Sequence, residues 1–174
     1  ANLAHHGLCD QRVVEIARAR LQIPGADPHP ALLALESCDS EMAKGAITEH
    51  IIGQFASASL EPETLEHFYT LIAYLGRDYA GSAQLIDRAL RHQSDQVREL
   101  GFNYCDWLPE KYAIPHLEAG LEDASIKVRR LCASAFAGAH GDPARHAEML
   151  AARLSQETDE EVKLSLKAAI QRLG

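Results

Sequence analysis

Three residues near the beginning of the chain are of the types that bind zinc or copper: His5, His6 and Cys9. Because His5 and Cys9 are four positions apart, a helix would place them on one face. A zinc or copper site needs further nitrogen or sulfur ligands, and no later segment offers an obvious Cys/His pair. We therefore interpret these residues as part of a helix start, and the sequence predicts neither a metal site nor a cofactor.

Histidine also stands beside or close to glutamate at four later places, an arrangement that can bind metal. These places are Glu49–His50, Glu66–His67, His116 with Glu118, and His146 with Glu148. The order and positions of the two residue types change from one place to the next, so solvated helix faces explain them better. The sequence also contains no Gly-rich phosphate loop, nucleophile elbow or HExxH segment. It therefore predicts no catalytic residue.

The elements that would position any site are organised by an internal repeat. Five residues recur 31 positions later in the same register: Ile86, Leu90, Val97, Arg98 and Leu100 return as Leu117, Leu121, Val128, Arg129 and Leu131. A looser third copy follows 33 to 34 positions on, at Leu150, Leu154, Val162 and Lys163. A repeat of this length built from two helical segments indicates stacked helix pairs.

Apolar spacing, capping residues and Pro or Gly breakers predict ten helices, nine longer and one short, and no strand. The predicted helices span 2–21, 30–37, 41–57, 61–75, 83–92, 96–108, 110–122, 126–139, 143–155 and 159–173. The expected fold is all-α: an α-solenoid of stacked antiparallel helix pairs forming a single domain over residues 1–174. Residues 1–60 would be degenerate repeats or capping helices, and residues 61–174 the clearer repeats.

Two segments resemble the signature of HEAT repeats: residues 121–129, which read LEDASIKVR, and residues 94–98, which read SDQVR. In that family the first helix ends in leucines, a short turn carries Asp or Ser, and the second helix begins with Val-Arg. Pro115 also fits, since many HEAT first helices carry a bending proline. The resemblance is good over residues 83–174 and weak before residue 60. It implies a helical solenoid with a concave binding face, and it does not identify a ligand.

Some HEAT-like families are enzymes, but their patterns do not carry over to this chain. The di-iron deoxyhypusine hydroxylases use His-Glu dyads at equivalent helix positions, whereas no two pairs here align at the 31-residue step. The DNA alkyl-base glycosylases have a basic, aromatic concave face, whereas the lysines and arginines here are dispersed. No residue carries over the chemistry of the HEAT-like bilin lyases.

Charge and cysteine content restrict the partners and the compartment. The net charge is −8 and the pI near 5.5, which disfavours nucleic acid and favours a basic protein partner. No run approaches the roughly 18 apolar residues of a membrane span, and no signal peptide is visible. The four cysteines, Cys9, Cys38, Cys105 and Cys132, form no CxxC motif. We expect buried thiols in a reducing cytoplasm.

The recurring basic residues Arg98, Arg129 and Lys163 are expected to form a ladder between repeats. Each would bond acids or carbonyls in the turns of a neighbouring repeat, with Asp95, Asp123 and Asp159 as available partners.

A polar stripe on the helix predicted over residues 96–108 is the candidate partner-binding surface. Helical spacing leaves Glu99, Asn103 and Asp106 on one exposed face, next to Trp107 at the helix end. The equivalent positions include Arg130 one repeat later and His67 and Tyr74 one repeat earlier. We expect a shallow groove centred on residues 66–112, in which aromatic residues anchor a basic ligand held by Glu99 and Asp106.

The C-terminal helix offers a further contact surface, because Leu164 and Leu166 cannot both point inward. The leading functional hypothesis is a non-enzymatic, HEAT-like adaptor or scaffold that binds another protein by its concave face. The alternatives are an immunity-type inhibitor of a basic toxin protein, and a metal-dependent or lyase-type enzyme on a HEAT frame. Neither nucleic acid nor membrane is an expected partner.

Overall fold

The computed structural model describes residues 11–38, 40–56, 60–139 and 141–174. Regular structure in these ranges is entirely helical, which confirms the all-α prediction and the expected number of helices. The ten α-helices are α1 (Gln11–Leu21), α2 (His29–Glu36), α3 (Glu41–Gln54), α4 (Pro62–Leu75), α5 (Ala80–Leu90), α6 (Asp95–Asn103), α7 (Glu110–Gly120), α8 (Ile126–Phe136), α9 (Pro143–Gln156) and α10 (Glu160–Leu173).

Side-chain caps and breakers fix several helix ends as the sequence suggests. Ser40 accepts a hydrogen bond from the Ala43 backbone N–H at 3.2 Å and so caps α3. Asp142 accepts from Ala144 at the start of α9. Gly76 ends α4 with a φ of +80°, a conformation that residues with a Cβ rarely adopt. Asp39 precedes Ser40 in the sequence and is also of a residue type that caps helices, but it lies outside the described residues.

The helix predicted over residues 96–108 is shorter than expected. It ends at Asn103, and a single 3-10 turn over Cys105–Trp107 follows. Tyr104 leaves the helical conformation, and the backbone then closes in three-residue steps, from Trp107 N–H to Tyr104 O and from Leu108 N–H to Cys105 O. This turn places Asp106 outside the stripe of a continuous helix.

The chain divides into two compact units, residues 1–85 and 86–174, with the boundary inside α5. In the first unit α1, α2 and α3 pack against one another, and α4 packs on α3. Its core includes Leu35 and Ile47, and Phe55 meets Phe68 edge to face at 5.9 Å.

In the second unit the second helix of each predicted repeat packs on the next. Helix α8 lies against both α6 and α10, while α7 packs on α8 and α9 packs on α10. Val97, Val128 and Val162 occupy the same first inward position and are fully buried. Leu166 is buried and Leu164 is 65% exposed, so only one of the two points inward, as predicted.

The cysteines differ from the expectation of four free thiols. Cys105 and Cys132 are free and buried, whereas Cys38 is disulfide-bonded. Cys9 lies outside the described residues, as do His5 and His6. Disulfides are typical of oxidising compartments, so cysteine content no longer supports a cytoplasmic location. None of the described helices is long and apolar enough to span a membrane.

Candidate functional site

Arg98 ties the turn of its own repeat to the turn of the next repeat. Its Nε and Nη2 donate to the two carboxylate oxygens of Asp123, at 2.7 and 2.8 Å. Its Nη1 donates to the backbone carbonyls of His92 and Gln93, at 2.8 and 2.6 Å. A planar guanidinium can make all four contacts at once, whereas an ammonium group cannot.

Arg129 makes the equivalent contacts one repeat later. Its Nη1 donates to the carbonyls of Asp123 and Ala124, and its Nε and Nη2 donate to Glu157 at 3.0 and 3.3 Å. Arg153 donates to the same carboxylate at 2.7 Å. The predicted ladder is therefore confirmed for both arginines.

Three details of the predicted ladder are wrong. Asp159 caps α10 by accepting from Glu161 and Val162, so Glu157 takes its place beside Arg129. Asp95 accepts from the backbone of Gln96, and Lys163 pairs within its own helix with Glu160 at 2.7 Å. A carboxylate that pairs with a ladder arginine must point toward the preceding repeat. The Asp159 carboxylate instead points toward the backbone of the helix that it caps, so it does not reach Arg129.

The ladder carboxylates are held in their charged form. Burial alone would raise the pKa of Asp123, but hydrogen bonds from Arg98 and from the Ser125 backbone outweigh it, and this pKa lies below its usual value. Burial also opposes ionisation of Glu157, whose pKa is nevertheless lowered by backbone N–H donors and by Arg129. The ladder therefore fixes the turns beside α6 and α8 as long as both acids stay ionised.

The predicted stripe on α6 is only partly exposed. Asn103 is exposed, and its amide donates to the Glu99 carbonyl at 2.8 Å. Glu99 is half-buried, and its Oε1 is enclosed with no hydrogen-bond partner among the described residues. Burial raises the pKa of Glu99. The Glu99 carboxylate, which was expected to pair with a ligand, is therefore less accessible than the helical pattern suggests.

A cavity of about 340 Å³ opens beside Asn103 and Asp106, and we call it the α6–α8 cavity. The end of α6, the 3-10 turn, α7 and the second half of α8 form its wall. The lining residues are Phe102, Asn103, Asp106, Leu108, Glu110, Ala113, Ile114, Leu117, Leu131, Ser134, Ala135, Gly138 and Ala139. Five of them, at positions 113, 134, 135, 138 and 139, have side chains of at most two heavy atoms, which leaves the space open.

The other predicted site residues lie elsewhere. Trp107 is half-buried, packs edge to face on Tyr104 at 4.8 Å and does not line the cavity. Arg130 pairs with Glu161 of α10 at 2.6 Å. His67 and Tyr74 belong to α4 in the first unit. The structure therefore brings Asn103 and Asp106 together at one cavity.

Glu110 is the charged residue that sequence reasoning missed. It is exposed in the first turn of α7 and lines the α6–α8 cavity together with Asp106. In the sequence it looks like an ordinary acid at a helix start. The run of small residues at the end of α8 was the available signal for a cavity, although it does not reveal which acids surround it.

The expectation of solvated histidines is wrong for two of the four His/Glu places. His146 is 3% exposed and packs edge to face on Phe136 at 5.4 Å. The His116 side chain is 16% exposed and bonds Asp87 at 3.0 Å. Both imidazoles therefore contribute to packing within the second unit.

In the first unit three histidines line one pocket of about 460 Å³. His29 begins α2, His50 lies on α3 and His67 lies on α4, and the rings of His29 and His67 are 6.0 Å apart. Burial, and then the neighbouring His67, lowers the pKa of His50. Within the described ranges no group of three or more His, Cys, Asp or Glu residues could hold a metal ion.

No protein-family profile, characterised protein or solved structure matches the chain. We therefore infer the function from the geometry within each unit.

Proposed function

We propose that the chain is a non-enzymatic, HEAT-like adaptor or scaffold that binds a basic protein. The HEAT-like repeat is supported by Arg98 and Arg129, whose contacts are equivalent one repeat apart. It is also supported by the packing of α8 between α6 and α10. Repeats of this kind stack into extended binding surfaces.

The observation that carries the binding proposal is the α6–α8 cavity with its two exposed acids. Asp106 and Glu110 come from consecutive elements, the 3-10 turn and α7, and line the same opening. An apolar recess with acidic residues at its opening is suited to a basic partner, and the net charge of −8 accelerates the encounter.

The test compares wild type with Asp106→Lys/Glu110→Lys in a pull-down from the native lysate, followed by binding measurements with the purified partner. We expect one basic protein to be retained by wild type and lost by the double variant. The matched control is Glu122→Lys/Glu148→Lys, which reverses two exposed acids of the same unit away from the cavity lining. Equal retention by both variants would contradict the proposal.

Salt dependence gives a second test of the same proposal. The association rate of wild type with the purified partner should fall as ionic strength rises, because opposite charges steer the encounter. A rate that is unchanged between low and physiological salt would contradict a basic partner.

A further inference from the structure

The volume of the α6–α8 cavity is large enough for a side chain of the partner to enter it, whereas charge pairing at the surface needs no cavity. An apolar cavity of roughly 150 Å³ is enough to hold benzene, and this cavity has about 340 Å³. Its volume therefore accommodates one large aromatic side chain together with the first atoms of the backbone that carries it. It is also within the lower part of the range, about 300–1,000 Å³, that is typical of ligand pockets.

The lining of the cavity is suited to an aromatic ring. Phe102, Leu108 and Leu117 are buried and supply an apolar wall. Ala135, half-buried on α8, lies among the small residues that leave the space open. A ring placed here would contact Phe102, and aromatic pairs add stabilisation beyond the area that they bury.

The polar residues at the opening define what accompanies the ring. Asp106, Glu110, Asn103 and Ser134 are all exposed and line the cavity. Two carboxylates beside an apolar recess favour lysine or arginine next to the inserted side chain. The hydroxyl of Ser134 can bond the backbone of an extended segment.

Charge also argues against other occupants. A second copy of the chain would bring another net charge of −8 to an acidic opening, and nucleic acid would bring phosphates. We propose that the α6–α8 cavity receives one aromatic side chain of a linear segment of the partner, with flanking basic residues pairing with Asp106 and Glu110. This inference rests on the proposed function and adds the form in which the partner is recognised.

The test uses five-residue peptides with two lysines on each side of one central residue, which is alanine, leucine or tryptophan. Calorimetry should show the tryptophan peptide binding about tenfold to fiftyfold tighter than the alanine peptide, because the tryptophan ring is transferred from water into the cavity and alanine has no ring to transfer. Ala135→Leu fills the space and should reduce the difference between these peptides to about twofold. Ala168→Leu, at an exposed position of α10, should leave the difference unchanged.

The outcomes separate this inference from the proposed function. If all peptides bind equally and Asp106→Lys/Glu110→Lys abolishes their binding, the inserted ring is wrong and the basic partner stands. If the tryptophan peptide binds best and the charge reversal has no effect, the basic partner and the proposed flanking residues are both wrong. If uncharged N-acetyltryptophanamide binds as tightly as the tryptophan peptide, the cavity is a small-molecule site and the linear segment is overturned.

Discussion

Arg129 and Glu157 form an ion pair in which the carboxylate is almost completely enclosed: the Glu157 side chain is 2% exposed and that of Arg129 is 12% exposed. Two guanidinium nitrogens of Arg129 reach the carboxylate, at 3.0 and 3.3 Å. Arg153 and two backbone N–H groups bond it as well. A buried carboxylate with several donors stabilises the fold only while each donor remains in place.

Replacing Arg129 should destabilise the second unit. In Arg129→Met the buried Glu157 loses one of its charged donors, and we expect a cost of about 3 kcal/mol. Urea unfolding followed by the fluorescence of Trp107 measures it, because this is the only tryptophan and it lies in the second unit. The neighbouring Arg130→Met is the control, since its pair with Glu161 is exposed and should contribute less than about 1 kcal/mol. Equal losses in the two variants would contradict the ladder.

Acid should destabilise the second unit through the same carboxylates. The pKa values of Glu157 and Asp123 are lowered in the folded state from 4.5 and 3.8. Their contribution is therefore fully present above these values and is lost as pH falls through the folded-state pKa values. The urea concentration at the unfolding midpoint, measured from pH 7 to pH 3, should decrease once the pH is below about 4.5. Glu157→Gln should be less stable at pH 7 and show a flatter acid dependence; an unchanged slope would exclude this cause.

Glu99 should have the opposite effect. Burial raises its pKa above 4.5, so its ionisation costs folded-state stability as pH rises through that value. Glu99→Gln is expected to increase the free energy of unfolding by roughly 0.5 kcal/mol at pH 7, with no gain at pH 3.5. A Glu99→Gln variant that is less stable at pH 7 would show that the carboxylate is paired.

Gly120 should not tolerate a side chain. A Cβ at this position would overlap the Cys132 sulfur and lie 2.5 Å from the Phe102 ring, both in the core. We expect Gly120→Ala to cost about 1–3 kcal/mol by overpacking. Gly53→Ala in α3 meets nothing within 4 Å and should be stabilising by about 0.5–1 kcal/mol. Thermal unfolding followed by circular dichroism distinguishes the two, and a neutral Gly120→Ala would contradict the close packing.

Mild acid should loosen the first unit through His50. Its pKa is lowered from 6.5, so the stability that its neutral form contributes is full above 6.5 and is lost as pH falls toward the folded-state pKa. The other charged or titratable groups lining its pocket are Asp27, His29, Glu63 and His67, and Arg18 with Glu49 border it in the adjoining pocket. The protection of the α3 amides, which is their exchange rate relative to the intrinsic rate at each pH, should decrease from pH 7.5 to 5.5. His50→Gln should reduce this loss of protection, whereas an identical loss in both proteins would assign it to another group.

The sequence by itself determined the ten helices of the described residues, the equivalent valines and the recurrence of Arg98 and Arg129. These follow from local spacing, because the period of a helix and the chemistry of its ends are written in neighbouring residues. Asn103 and Asp106 line the same cavity because they lie close in the chain, although the predicted helical stripe ends at Asn103.

Only the tertiary structure decided which residues from separate elements meet. In the folded chain Glu110 lies at the opening beside Asp106. Arg129 pairs with Glu157 and not with Asp159. Three histidines from separate helices line one pocket, namely His29, His50 and His67. Each of these depends on the rotation and spacing of packed helices, which the sequence periodicity does not specify. A cavity is defined by side chains that fail to fill the space between helices, so it has no signature within any single segment.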